Sequence, residues 1–349
     1  MKKVLATLML SGLVVSLLAG CSGSGQSGGS SGSADGGGSA STAGAAVEAA
    51  EFRLAHDETP DSAVGLACVR FKELVEEASG GQMTVEIYDS GTLGSVDELF
   101  ESAQVGNVDF VPLSTGAIST TIPDYGVFNM PYAFESMEQL HELFDGEMGD
   151  YLIQQAADMA NLYVFPDTWT DGARHYFNNV REVTVPEDMS GLRIRVPDRS
   201  SYILPMEELG AVPVTMSINE AYLACSQGTV DGVEMAAAPA LDNNIPDVCK
   251  YMCLDGHMIT PKMFACNLDR YNSLSDAQKE IIENAAHEAA LYQREISDQL
   301  TEEALQKLEE AGMIITEVDQ QAFQEAVAPC LPELAESLSD EIMTLAGLQ

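Results

Sequence analysis

The sequence predicts two α/β lobes laced together by chain crossings and by one long C-terminal helix. Three observations carry that prediction. From Glu51 onward, β-type alternation and helical spacing succeed one another, as in right-handed βαβ units. A second series of the same kind begins near Arg174. Finally, Ser275 to Ala311 contains neither Gly nor Pro, and a helix of that length, roughly 55 Å at 1.5 Å per residue, exceeds what one small lobe can cover.

The elements follow in order. Phe52 to His56 reads as a first strand, and Ala67, Phe71, Leu74, Val75 and Ala78 recur at helical spacing up to Gly80-Gly81. Met83, Val85 and Ile87 alternate with polar neighbours and make the second strand. A helix over 95–105, a strand over 109–113, helical stretches over 137–160 and a strand over 162–165 continue the series. In the second set, strands are expected at 174–177, 192–196, 211–214, 231–235 and 251–254, with helices near Ser200 and over 219–227. Ser275 to Gln278 forms a capping box at the start of the long helix. A strand at 314–317 and a helix after Gln320 close the chain.

Composition narrows the function. The 349 residues hold 16 Lys plus Arg against 55 Asp plus Glu, a formal charge of −39. Phosphate neutralisation needs a basic face, so a nucleic-acid role is excluded, and docking on anionic lipid through a basic patch is disfavoured. Only 20% of residues are charged and 46% are hydrophobic, which gives a globular body with real cores. Seven cysteines are too few for a disulfide scaffold.

Lys2 and Lys3 precede an apolar run from Val4 to Leu18, too short to span a membrane and suited to a secretory leader over 1–20. Leu18-Ala19-Gly20-Cys21 resembles a bacterial lipobox, which makes Cys21 the expected lipidation site and the membrane contact a lipid anchor only. The segment 21–47 reads as a linker: 17 of the 26 residues from Cys21 to Ala46 are Gly or Ser. Such a coil spans roughly 28 Å end to end. Without residues 1–20 the charge becomes 14 − 55 = −41.

Motifs for catalysis are missing: there is no GxSxG outside the linker, no HExxH and no phosphate-cradling GxxxxGK[ST]. Cys249, Cys253 and His257 have helical ligand spacing, but a strand and an Asp255-Gly256 turn would scatter them, so neither metal nor cofactor is expected. The arginines stand out. Five of nine fall between Arg174 and Arg199. Arg181, Arg193 and Arg199 are expected to pair with local acids such as Glu182, Glu187, Asp188 and Asp198. Others of the cluster are candidates to hold an anionic ligand through bidentate, charge-assisted bonds.

Several stretches, in order, resemble one family: the extracytoplasmic solute-binding proteins of tripartite ATP-independent periplasmic (TRAP) transporters. They are Leu54-Ala55-His56, Leu74-Val75 with Gly80-Gly81, Ser90 to Gly94, Pro131 to Phe134, Trp169 to Arg174, Gly191 to Pro197, Glu220-x-Tyr222 and Gln227 to Glu234. The resemblance covers about Leu54 to Asp319. It implies a periplasmic-binding-protein-like clamp with a ligand cleft between the lobes, which delivers a small organic acid to a TRAP membrane permease. Lobe I would comprise 48–172 plus 262–300, and lobe II 173–261 plus 301–345. It further implies a monomer, no enzymatic activity and an extracytoplasmic location.

The same resemblance assigns the carboxylate-pairing Arg to Arg195, an assisting Arg to Arg174, a hinge position to Trp169 and cleft positions to His56 and Thr115. Met235, Asp198 and Ile218 stand where the family more often has Asn, a neutral polar residue and an aromatic. Those departures favour a monocarboxylate with an apolar or hydroxylated body over a C4-dicarboxylate or sialic acid. Two alternatives stay open: the binding protein of an ATP-driven importer, and a ligand-sensing subunit of a signalling receptor.

Overall fold

Residues 47–348 are described by the computed structural model; the expected leader 1–20, Cys21 and the linker up to residue 46 lie outside the described residues. β1 (Ala50–Ala55), α1 (Ala63–Ala78) and β2 (Met83–Tyr88) build the first βαβ unit, with β1 and β2 paired in parallel. α1 starts where the Ser62 hydroxyl accepts from the Gly65 N–H, and the chain leaves it through Gly80 and Gly81, both at positive φ. α2 (Val96–Gln104) carries a capping box from Ser95 and Glu98. β3 (Phe110–Ser114), a short α3 (Thr115–Ser119), α4 (Met137–Phe144) and α5 (Glu147–Ala160) follow.

β4 departs from expectation. The strands expected at 162–165 and 174–177 are the two ends of one 17-residue strand, Leu162–Asn178. Likewise the strand expected at 251–254 opens a second one, Tyr251–Asn267, and the expected Asp255-Gly256 turn lies inside it. Pairing between the two shifts register at Val164/Thr168, Thr170/Ala173 and Arg174/Tyr176. Each shift breaks the period-2 pattern while the ladder continues, so the sequence reads as interrupted where the strand is not. Gly256, at φ 57°, sits in the last of these irregularities.

Between the long strands lie β5 (Arg193–Val196), α6 (Ser200–Glu208), β6 (Val212–Thr215), α7 (Ile218–Ser226), β7 (Gly232–Ala236) and α8 (Ala237–Asp242). The strand Tyr251–Asn267 is β8, and after it come α9 (Leu268–Asn272), α10 (Asp276–Glu310), β9 (Ile314–Glu317), α11 (Gln320–Val327), α12 (Leu331–Ala335) and α13 (Asp340–Leu345). Nine strands form one sheet in the order β2-β1-β3-β8-β4-β7-β5-β6, with β9 also on β8. β8 pairs with β3 at one end and with β9 at the other, so β4 and β8 carry the sheet through both lobes.

Each lobe has a core on either face of the sheet. In the first, Val111 and Leu113 of β3 face one cluster, while Phe110 faces the other with Phe71, Phe165, Trp169 and Phe264. In the second, Ile194 and Val196 face Met206 and Phe323, and Val233 and Met235 face Cys225 and Leu308. α10 is the expected spine: Ile282, Ala285 and Ala289 pack on the first lobe, Ala304 and Leu308 on the second. The expected assignment of all of 301–345 to the second lobe is corrected at its end. Ile342 and Ala346 join the first lobe's core, and the Ser339 N–H donates to Asp124 at 2.8 Å. Cys68, Cys225, Cys249, Cys253, Cys266 and Cys330 are buried free thiols.

Candidate functional site

The parallel strands of both lobes end at one place. β1 runs into Asp57 and Glu58, β3 into Gly116, β5 into Pro197 and Asp198, β6 into Met216 and Ser217, and β7 into Ala236; all of these residues line a cavity of about 380 Å³. Ligands of open α/β sheets bind outside the carboxyl ends of the strands, where backbone direction opens a crevice.

Arg195 sits on β5, between Val214 of β6 and Val233 of β7. Alternation puts Ile194 and Val196 into the core and turns Arg195 to the other face. Its side chain is 5% exposed, and Nε and Nη2 both donate to the Met216 carbonyl, at 2.9 and 2.7 Å. Burial, and the like charge of Arg174, bring this guanidinium down to about 10. Arg174 differs. Its Nε and Nη2 grip the Glu234 carboxylate, the latter at 2.9 Å, and its guanidinium lies 5.2 Å from the centre of the Tyr202 ring.

Behind Arg174 runs a buried polar chain. His257 Nε2 lies 3.0 Å from Glu234 and Nδ1 2.9 Å from Asp255, whose carboxylate also accepts from the Tyr132 hydroxyl at 2.9 Å. With a carboxylate on each ring nitrogen, both must carry hydrogen, so His257 is an imidazolium. Burial opposes that charge, but Asp255 and Glu234 outweigh it and raise the group to about 9. Burial would likewise raise Glu234, yet the charge of Arg174 and the bonds from His257 and Arg174 hold it down at about 2.

The lobes also touch across the cavity mouth. Arg199 Nε donates to the Gly116 carbonyl at 2.9 Å and Nη2 to Asp97, both first-lobe residues. Asn129 donates to the Tyr202 hydroxyl at 3.1 Å. This corrects the expectation that Arg181, Arg193 and Arg199 pair with local acids. Arg181 takes the carbonyls of Asp188 and Ser190 instead. Arg193 pairs with Asp231, because β5 and β7 are neighbours, and Arg199 reaches the opposite lobe.

Of the eight ligand-contact candidates, Arg195, Arg174, Met235, Ile218 and Asp198 line the cavity. His56, Thr115 and Trp169 do not, which corrects the cleft positions expected of His56 and Thr115 and a ligand contact by Trp169, whose place is on β4. Trp169 is fully buried and stacks on Phe264 with ring centres 4.9 Å apart. Thr115 is fully buried and donates to Asn129 at 3.2 Å, while its neighbours Ser114 and Gly116 face the cavity. His56 is 1% exposed, its Nδ1 lacks a hydrogen-bond partner among the described residues, and the next residue, Asp57, takes the wall position.

The sequence reading missed Asp57, Glu58, Asp171, Asp242, Tyr202 and Lys262, all on the wall. Lys262 pairs with Glu58 and, at 3.0 Å, with Asp171. Two signals were available: Asp171 lies inside the Trp169–Arg174 stretch, and Asp57 follows His56. Among the described residues no group of three or more His, Cys, Asp or Glu is placed to hold a metal.

Comparison with known proteins agrees with this geometry. A family model, "Bacterial extracellular solute-binding protein, family 7", matches residues 54–338. The C4-dicarboxylate-binding periplasmic protein DctP of Rhodobacter capsulatus is 28% identical over 312 residues, 87% of this chain and 92% of that one. Two solved structures superpose with a TM-score of 0.82, each spanning 86% of this chain and 99% of the other. One is a TRAP periplasmic solute-binding protein of Sulfitobacter with bound β-D-galacturonate, 26% identical; the other is a sugar-acid-binding protein of Advenella mimigardefordensis with galactonate, 27% identical. The chain belongs to the bacterial extracellular solute-binding protein family 7, the solute-binding subunits of TRAP transporters.

Proposed function

We propose that this protein captures a small organic acid outside the cell membrane and delivers it to a TRAP permease, with Arg195 as the residue that holds the ligand carboxylate. One observation carries the reading: in a cavity between two lobes, Arg195 is a buried guanidinium whose hydrogen-bond acceptor is a neutral carbonyl. Arg174, Arg199 and Lys262 on the same wall each have a carboxylate partner. A single unmatched cation suits a monocarboxylate, and the related structures with galacturonate and galactonate support that ligand size and charge. Met235 and Ile218 supply apolar contact for its body.

Capture proceeds by closure. The carboxylate meets Arg195 on the second lobe, the first lobe swings over, and the pairing strengthens as water leaves and the effective dielectric falls. Contacts made only in the closed state shift the open–closed equilibrium toward it. Cys21 would tether the body by lipid through its Gly/Ser linker, on the outer surface or the periplasmic face of the cell membrane, and the binding unit would act as a monomer.

Calorimetry with D-galacturonate, D-galactonate and succinate tests the reading. Binding of either sugar acid and its loss in Arg195→Ala, with an unchanged melting temperature, is the expected result. Tight succinate binding that survives Arg195→Ala would overturn the assignment.

A further inference from the structure

We propose that the natural ligand is a zwitterion, with one carboxylate on Arg195 and one protonated nitrogen facing the acidic part of the cavity wall to which Asp57, Asp171 and Asp242 belong. This rests on the reading of Arg195 as the carboxylate anchor and extends it to the rest of the cavity. The cations of the wall are already matched: Arg174 by Glu234, Arg199 by Asp97, and Lys262 by Glu58 together with Asp171. Arg195 alone is not, although 95% of it is hidden from solvent and it projects into the cavity (5% exposed). That buried, carboxylate-free guanidinium marks the cavity as a ligand site independently of the acids.

The acids of the wall are in surplus. Asp57 and Asp242 line the cavity and make no ion pair among the described residues, and Asp171 shares one lysine with Glu58. Burial, reinforced by the nearby charges of Asp57 and Asp242 and only partly offset by Arg174, pushes the Asp171 carboxyl up to about 7. Three candidate groups on a ligand would meet this region differently. A second carboxylate would meet like charge and be rejected. A hydroxyl would donate one hydrogen bond and leave the charge unmatched. An ammonium brings three donors and a positive charge, and so satisfies both needs. Long-range electrostatics point the same way: residues 21–349 carry 14 − 55 = −41, a field that repels anions and leaves a net-neutral ligand unaffected.

The test is calorimetry on two matched sets of probes. The first is 4-aminobutanoate, 4-hydroxybutanoate and succinate; the second is 6-aminohexanoate, 6-hydroxyhexanoate and adipate. In at least one set the amino acid should bind about tenfold or more tighter than the hydroxy acid, with the diacid weakest, as a charge-assisted bond requires. Asp57→Asn with Asp242→Asn should erase that advantage and strengthen the diacid, at an unchanged melting temperature. The proposal is overturned if the hydroxy acid or the diacid is tightest in both sets, or if D-galacturonate binds and no amino acid does; in those cases the carboxylate reading survives. Failure of every probe, D-galacturonate included, would overturn both.

Discussion

Arg199→Ala should loosen ligand binding by acting on closure. Arg199 stands just before α6 in the second lobe, yet two of its bonds cross to the first: Nε to the Gly116 carbonyl at 2.9 Å and Nη2 to Asp97. The Asp97 side chain is 52% exposed, so that ion pair contributes about 0.2–1 kcal/mol. The charged bond to Gly116 is better shielded, the guanidinium being 18% exposed, and adds about 1 kcal/mol, below the range for fully buried charged bonds. The sum, about 1.5 kcal/mol, is a factor of about ten in the ratio of closed to open protein. Where the free protein is mostly open, apparent affinity falls by that whole factor. The dissociation rate should carry the loss, because the bonds form after encounter. Titration with D-galacturonate gives the affinity. Stopped-flow emission of Trp169, the single tryptophan and part of the strand that joins the lobes, gives the rates. Asp97→Asn should weaken binding about two- to fivefold, less than Arg199→Ala. Affinities within twofold of wild type in both variants, or a loss confined to the association rate, would refute a closing latch.

Other expected outcomes follow from the same contacts. Arg195→Lys keeps the charge and loses the planar fork that now rests on Met216, so calorimetry should show binding weaker by about tenfold or more with the fold intact. His257, raised to about 9 from an ordinary value of 6.5, contributes stability that is fully present below pH 6.5 and lost as pH rises through 9. Scanning calorimetry should therefore show the melting temperature falling between pH 7 and pH 10, and His257→Asn should flatten that fall. Phe264 is fully buried against Trp169, Phe71 and Phe165, and Phe264→Ala should cost about 3–5 kcal/mol in urea unfolding. Gln293→Ala removes bonds of 2.9 and 2.6 Å to the Thr170 N–H and carbonyl; the carbonyl keeps Ser297, but leaving the N–H unmet should cost about 1–3 kcal/mol by the same measurement.

Local pattern was legible wherever the physics is local. α1, α2 and α10 begin at Ser62, Ser95 and Ser275, whose hydroxyls cap the first turn, and the first β-α-β unit pairs as its alternation demands. Alternation sets Arg193 and Arg195 on the face opposite Ile194 and Val196, and the choice of Arg195 between them came from the resemblance of Gly191 to Pro197 to the family's stretch. The crossings were not legible. Bulges near 165–167 and 171–172 break the alternation that signals a strand, and Gly256 imitates a turn inside β8. The partner of Arg199 was equally hidden, since Asp97 lies 102 residues away and is brought near only when the two lobes meet. Trp169, His56 and Thr115 pack behind the wall, and residues one or two positions further on, Asp171, Asp57 and Gly116, line it.

The irregular strands also bear on the proposed closure, because one continuous sheet runs through both lobes. A regular ladder through β4 and β8 would weld the lobes, because bending it would break a row of hydrogen bonds. The bulges instead interrupt the ladder at Val164/Thr168, Thr170/Ala173 and Arg174/Tyr176, along the stretch where the chain passes from one lobe's core to the other's. On its other side β4 has no strand partner among the described residues before Arg174, where β7 begins to pair, and α10 supplies partners for the backbone groups there. Gln293 serves both polar groups of Thr170, Ser297 donates to the Thr170 carbonyl at 3.0 Å, and Arg294 Nε donates to that of Thr168 at 2.8 Å. Side-chain bonds of this kind can turn with the strand, whereas an inter-strand ladder cannot. Near the end of that stretch stands Arg174, whose guanidinium is clamped to Glu234 on β7. In the proposed closure, this clamp would carry bending of β4 to the cavity wall that holds Arg195, coupling the ligand to closure without a separate moving part.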